Sequence, residues 1–315
     1  AAGTGHILLN YTNSSGCTAA TATDQAITIN SLPTPLITGS ATVCAGSSGN
    51  VYTTDAGMSN YQWTITGGTI TAGGTTSSNS VTVTWGAAGT GHVTLNYTNG
   101  SGCTAATATD QSITINALPA ITSNPVNSTI FAAENTSFSV TATGTAITYQ
   151  WYENQGLGWN SLTNGGVYSN VTTATMNITA ATLSMNGYQY RCEVTGACPP
   201  AAVSDAALLT VNPTATVEIS GSTTICAGET ATLTLTLTGT ANWSVSYNAG
   251  AVPQTIPSIT TTTYTFNVSP AVTTVYTLTG VTDANGAGTI VAPGAVTVTV
   301  NPKPSPGPLY RLPNQ

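Results

Sequence analysis

Side chains able to do chemistry are scarce in this chain. Among 315 residues there are two histidines, His6 and His92, ten carboxylates, and six cysteines at Cys17, Cys44, Cys103, Cys192, Cys198 and Cys226. The histidines stand apart in sequence from any cysteine or carboxylate cluster, so the convergent ligand set that zinc needs is not expected. The carboxylates never fall into DxD or EF-hand spacing, and no GxSxG, HExxH or phosphate-loop pattern occurs. General acid–base and nucleophilic catalysis require such groups to converge. The chain therefore reads as a non-enzyme with no metal and no cofactor.

Charge narrows the field further. Three Lys and Arg residues stand against ten Asp and Glu, for a net charge of -7, and charged residues make up 4% of the chain, against a globular average of about 25%. So few cations leave no footprint for a phosphate backbone, and nucleic acid is excluded as a partner. Anionic membrane surfaces are disfavoured by the same argument. No apolar run approaches the roughly 18 residues that a membrane span needs. The apolar fraction of 40% is enough for packed cores. A polar surface made of Thr, Ser, Asn and Gly suits an extended extracellular polymer.

The elements that position these residues follow from an internal repeat. Residues 3–33, GTGHILLNYTNSSGCTAATATDQAITINSLP, match residues 89–119, GTGHVTLNYTNGSGCTAATATDQSITINALP, differing only at Ile7/Val93, Leu8/Thr94, Ser14/Gly100, Ala26/Ser112 and Ser31/Ala117. Such near-identity indicates recent tandem duplication. The second copy closes a longer unit that begins near Leu36, and the first lacks that upstream half, so the chain is expected to be an excerpt of a longer polypeptide. Pro-containing junctions at 31–35, 117–120, 212–214 and 301–308 each follow an alternating segment, as a last strand running into a short stiff linker would. The expected organisation is a half unit at 1–33, units at 36–118, 120–212 and 213–302, and a Pro-rich tail or linker at 303–315. Within units the hydrophobic period is 2, as in segments 80–85, 231–236, 263–268 and 295–300. Alternating Val, Leu, Ile or aromatic residues with Thr predict strands with one buried and one wet face. The fold class is thus all-β, a tandem array of small antiparallel sandwiches.

Three resemblances refine this. In 120–212, YQWYE carries Trp151 and NGYQYRC places Tyr190 two residues before Cys192; this resembles the immunoglobulin fold, with its core Trp and its tyrosine near the second cysteine. The first cysteine of that fold is absent, since SFSVTATG offers Val140 and Ala142. Cys198 lies close to Cys192, a spacing that suits a bridge closing a hairpin. Segment 36–118, with ATVCAG, YQWTITGGTI, VTVTWG and SGCTAA, resembles the PKD-like sandwiches found in tandem in giant surface proteins of Bacteroidota. That resemblance implies a Cys44–Cys103 bridge. Trp63 and Trp85 are read as core anchors rather than as a ligand platform. Segment 213–302 resembles another Ig-like repeat of the same kind of protein, in which the cysteine of ICAGE pairs with one after VTD. Here that turn reads Ala284, Asn285, Gly286, so Cys226 is predicted unpaired, and Trp243 is read as a core anchor. Cys17, the repeat equivalent of Cys103, is unpaired or paired outside the chain. Two bridges imply an oxidising, extracellular compartment.

The resemblance as a whole is to SprB-like, type IX-secreted adhesins of gliding Bacteroidota. It implies a cell-surface stalk supporting attachment to surfaces, glycans or cells, with a part in gliding, and neighbouring repeats as its partners. Two other readings remain open at this point. The half unit could be completed by an identical chain in a self-assembling filament or sheath. Alternatively, a carbohydrate-binding module would need an exposed aromatic, for which Trp159 in GLGWNSL is the nominee.

Overall fold

The computed structural model describes residues 2–305 and 307, so most of the expected tail at 303–315 lies outside the described residues. Alternation dictates the strands directly. In Ser80–Trp85, Val81, Val83 and Trp85 turn inward while Ser80, Thr82 and Thr84 stay half-exposed. The described residues are all-β apart from a single 3-10 turn at Leu183–Met185.

Four groups of sheets follow one another along the chain. First comes a lone antiparallel hairpin, Gly3–Leu9 with Thr23–Ile29. Next, a four-stranded sheet in the order Thr42–Cys44, Thr109–Asn116, Gly89–Thr98, Ser59–Thr66 packs on a three-stranded sheet of Asn50–Thr53, Ser80–Trp85 and Gly68–Gly73. The third group has a sheet in the order Ser128–Phe131, Ala207–Asn212, Gln189–Thr195, Thr148–Asn154, Trp159–Ser161, with a second sheet of Thr136–Ser139, Thr175–Ile178 and Tyr168–Ser169. The last pairs the sheet Thr263–Val268, Ala231–Thr238, Thr216–Ser220, Thr289–Ile290 with the sheet Thr223–Cys226, Ala295–Asn301, Thr274–Asp283, Trp243–Ala249, Val252–Ile259. Val252–Ile259 carries Pro253 and Pro257 and lies at an edge, where the lost amide donors break no ladder.

One device recurs three times. An early strand runs parallel to the last strand of its sandwich, and its final residue sits opposite an asparagine that leads into a Pro-containing linker: Cys44 opposite Asn116, Phe131 opposite Asn212, Cys226 opposite Asn301. The turn after it is closed the same way twice. The Glu134 carboxylate accepts the Phe131 amide, and the Glu229 carboxylate accepts the Cys226 amide, each at 2.8 Å.

By contacts the chain divides into two compact units. One comprises 1–124, 140–150 and 192–204, and the other 125–139, 151–191 and 205–315.

Candidate functional site

Within the first unit, Cys44 ends the strand Thr42–Cys44, and Cys198 lies in the loop after Gln189–Thr195. The two sulfurs form a disulfide spanning 154 positions of sequence, with a Cα–Cα distance of 5.7 Å. This corrects the pairing expected from sequence, because neither a Cys44–Cys103 nor a Cys192–Cys198 bridge forms. Cys192 shares a strand face with Tyr190 and Val194 and points into the core, whereas Cys198 lies beyond the strand, near the Asn116 carbonyl. A short-range bridge would require Cys192 to leave that core face. Cys103 is held in its own loop, where the Asn99 side chain accepts its amide at 3.0 Å, and its thiol is free. Cys17, Cys192 and Cys226 are also free, Cys17 and Cys226 being exposed. Burial pushes the Cys192 thiol up to about 11, leaving it little thiolate at neutral pH.

The surroundings of the bridge make it a junction rather than a loose staple. The Ala45 amide donates to the Asn116 carbonyl. At the linker, the Ala117 amide donates to the Thr145 hydroxyl, and the Thr145 amide returns to the Ala117 carbonyl. Gly196 leaves room for Pro119, whose Cγ would stand 3.1 Å from an added Cβ. The short linker is therefore gripped by backbone hydrogen bonds beside the disulfide. On the chain-entropy model a closed loop of this length is worth up to about 5 kcal/mol.

The aromatic anchors expected from sequence sit in cores. The indole of Trp63 donates to Ser78, that of Trp151 to Thr173 and that of Trp243 to Thr238. All three rings are buried, as are Trp85 and Tyr190. Tyr190 stacks on Phe138, and its hydroxyl meets that of Tyr168, which donates to the Glu153 carboxylate. Burial first, and the Glu153 contact next, raise Tyr168 well above the ordinary phenol range. Tyr97 is pushed up to about 12 by burial and by its hydrogen bond to Asp55. Trp159 is half-buried, with the Arg191 guanidinium 4.3 Å from its ring centroid and 5.8 Å from that of Tyr152. One ring face that a sugar would stack on is thus covered by a cation. Arg191 was not singled out from sequence, because nothing in its spacing marks a lone arginine as a stacking partner.

His6 meets Asp24 at 2.9 Å, and His92 meets Asp110 likewise, on exposed and equivalent hairpin faces. Among the described residues, no three His, Cys, Asp or Glu side chains converge on a metal position, and no helix is long and apolar enough to cross a membrane.

Residues 31–112 match the PKD-like domain family. In fold the chain is similar to an I-band fragment from titin, with a TM-score of 0.58 at 15% identity over 86% of this chain and 100% of that one. It is also similar to a three-Ig structure of titin domains in an E-to-A mutated variant, with a TM-score of 0.56 at 14% identity over 86% and 99%. No curated protein sequence matches the chain. The chain is an all-β tandem of Ig-like and PKD-like sandwiches.

Proposed function

We propose that the chain is a load-bearing stalk segment of an extracellular, filamentous surface adhesin, built from segments 1–33, 36–118, 120–212 and 213–302. The observation that carries this reading is the Cys44–Cys198 disulfide, which ties residues of two consecutive segments beside a linker already gripped by hydrogen bonds. A disulfide of this kind belongs to an oxidising compartment. Sandwiches joined by short linkers resist extension through their strand ladders and hold a distal binding tip away from the cell. The resemblance to SprB-like adhesins of Bacteroidota supports export by type IX secretion and attachment to surfaces or cells.

Labelling of intact cells with a membrane-impermeant maleimide tests the location. Cys17 and Cys226 are expected to label without lysis, since both thiols are exposed, while Cys44 and Cys198 label only after reduction. Labelling of Cys17 and Cys226 that requires lysis would overturn the reading.

A further inference from the structure

The linkers after Asn116 and after Asn212 join consecutive sandwiches, and the two junctions are built alike. In both, the linker passes between two glycines of the sandwich that follows. At the first, a Cβ added to Gly144 would lie 3.0 Å from Cα of Pro119, and one added to Gly196 would lie 3.1 Å from Cγ of the same proline. At the second, a Cβ on Gly239 would lie 2.8 Å from Cα of Ala215, and one on Gly288 would collide with the Ala215 carbonyl. Gly144 and Gly239 belong to the same tetrapeptide, TGTA, at 143–146 and 238–241. The upstream corner is shared as well. Phe131 stands where Cys44 stands, at the end of the strand that runs parallel to the closing strand, and the next amide, of Ala45 or Ala132, donates to the asparagine carbonyl at 2.9 Å.

Cys44 bonds Cys198, two residues past Gly196 in the loop after Gln189–Thr195. Phe131 reaches the corresponding loop, after Thr274–Asp283. Its Cζ stands 3.5 Å from the position that a Cβ on Gly286 would take, so the tip of the ring lies against bare backbone. That loop is held in place from within its own sandwich. The Asp283 carboxylate accepts the amides of Asn285 at 2.8 Å, Gly286 at 3.1 Å and Thr240 at 2.9 Å, and the Asn285 side chain donates to the Thr240 hydroxyl at 2.8 Å.

We propose that the corner residue is the element by which one sandwich engages the loop of the next, and that Phe131 on Gly286 is the noncovalent counterpart of the Cys44–Cys198 bridge. The ring's partner is a glycine turn rather than a pocket. A flat ring needs uncovered backbone to rest on, and Gly286, at φ +144°, occupies a conformation that disfavours a side chain. The two junctions then differ in their response to redox state: reductant opens the first lock and leaves the second closed. This engagement involves only residues on either side of the two linkers, so its failure leaves the stalk reading untouched.

The test is hydrogen exchange on the full chain carrying Phe131→Ala, both oxidised and reduced. The Gly286, Gly288 and Thr289 amides should exchange about tenfold faster in the variant under both conditions, as a loop does on losing an apolar contact, while amides in Gln189–Thr195 keep their rates. Phe131→Leu, whose side chain is long enough to cover Gly286, should restore the protection. In the unaltered chain, reductant should speed the Thr145 and Ala197 amides at the first junction and leave those at 286–289 as they were. Unchanged exchange at 286–289 in Phe131→Ala would overturn the proposal. So would equal acceleration across Gln189–Thr195, since Phe131 would then serve only the core of its own sandwich. If Phe131→Ala does not fold, Phe131→Thr removes the ring while keeping strand propensity, and the same amides decide.

Discussion

Tyr97 and Asp55 give the sandwich in segment 36–118 an alkaline pH response. The phenol donates to the carboxylate at 2.7 Å, and burial with that contact raises its pKa from 10.0 to about 12. In the unfolded chain the same group ionises near 10. The stability it contributes is therefore full below pH 10 and is lost as pH rises from there towards 12. Burial raises Tyr52 in the same direction. Urea midpoints should fall steadily between pH 10 and 12, and Tyr97→Phe should make that fall shallower; an identical slope in the variant would contradict the assignment. At this scale the sequence identified Trp63, Trp151, Tyr190 and Trp243 as interior residues, because an aromatic at an inward position of an alternating segment has nowhere else to go. It did not identify cysteine partners. Pairing depends on which loops meet in space, and the partner of Cys44 lies 154 positions away.

Strand periodicity was the most legible property of the elements. Segments such as Ala231–Thr238 and Ala295–Asn301 emerge as sandwich strands because Thr–apolar alternation has one physical solution, a half-buried pleated surface. Val252–Ile259 was not apparent, since two prolines mask an edge strand. The parallel pairing of Thr42–Cys44, Ser128–Phe131 and Thr223–Cys226 with their closing strands leaves no local signature either, because strand order is set by the whole sandwich. The duplicated hairpin offers a matched pair of substitutions. Gly91→Ala drives a methyl into the Trp85 ring and should cost about 1–3 kcal/mol by overpacking. Gly5→Ala meets only the flexible tip of Ile29 and should leave thermal unfolding unchanged. Equal effects at the two sites would show that Trp85 does not rest on Gly91 as described.

Across the whole molecule, the disulfide changes which covalent path carries tension. A pull on the chain ends runs to Cys44, crosses the sulfur–sulfur bond and continues from Cys198, so the residues between them bear no extending force while the bridge is closed. That stretch contains nearly all of the second group of strands and most of the third. The core around Trp85 would survive loads that strip unbridged neighbours such as the sandwich around Trp243, whereas the core around Trp151 remains open to peeling of Ala207–Asn212, the closing strand that lies beyond Cys198. The repeat architecture supplies spacing, and the bridge decides how much of it can be stretched.

Single-molecule extension in an optical trap, with and without reductant, tests this load path most directly. A separation of 154 residues at roughly 3.6 Å each corresponds to about 550 Å of contour length. The bridged junction predicts that this length is absent from the fully extended oxidised chain and is released on reduction. Equal contour lengths in the two conditions would contradict it.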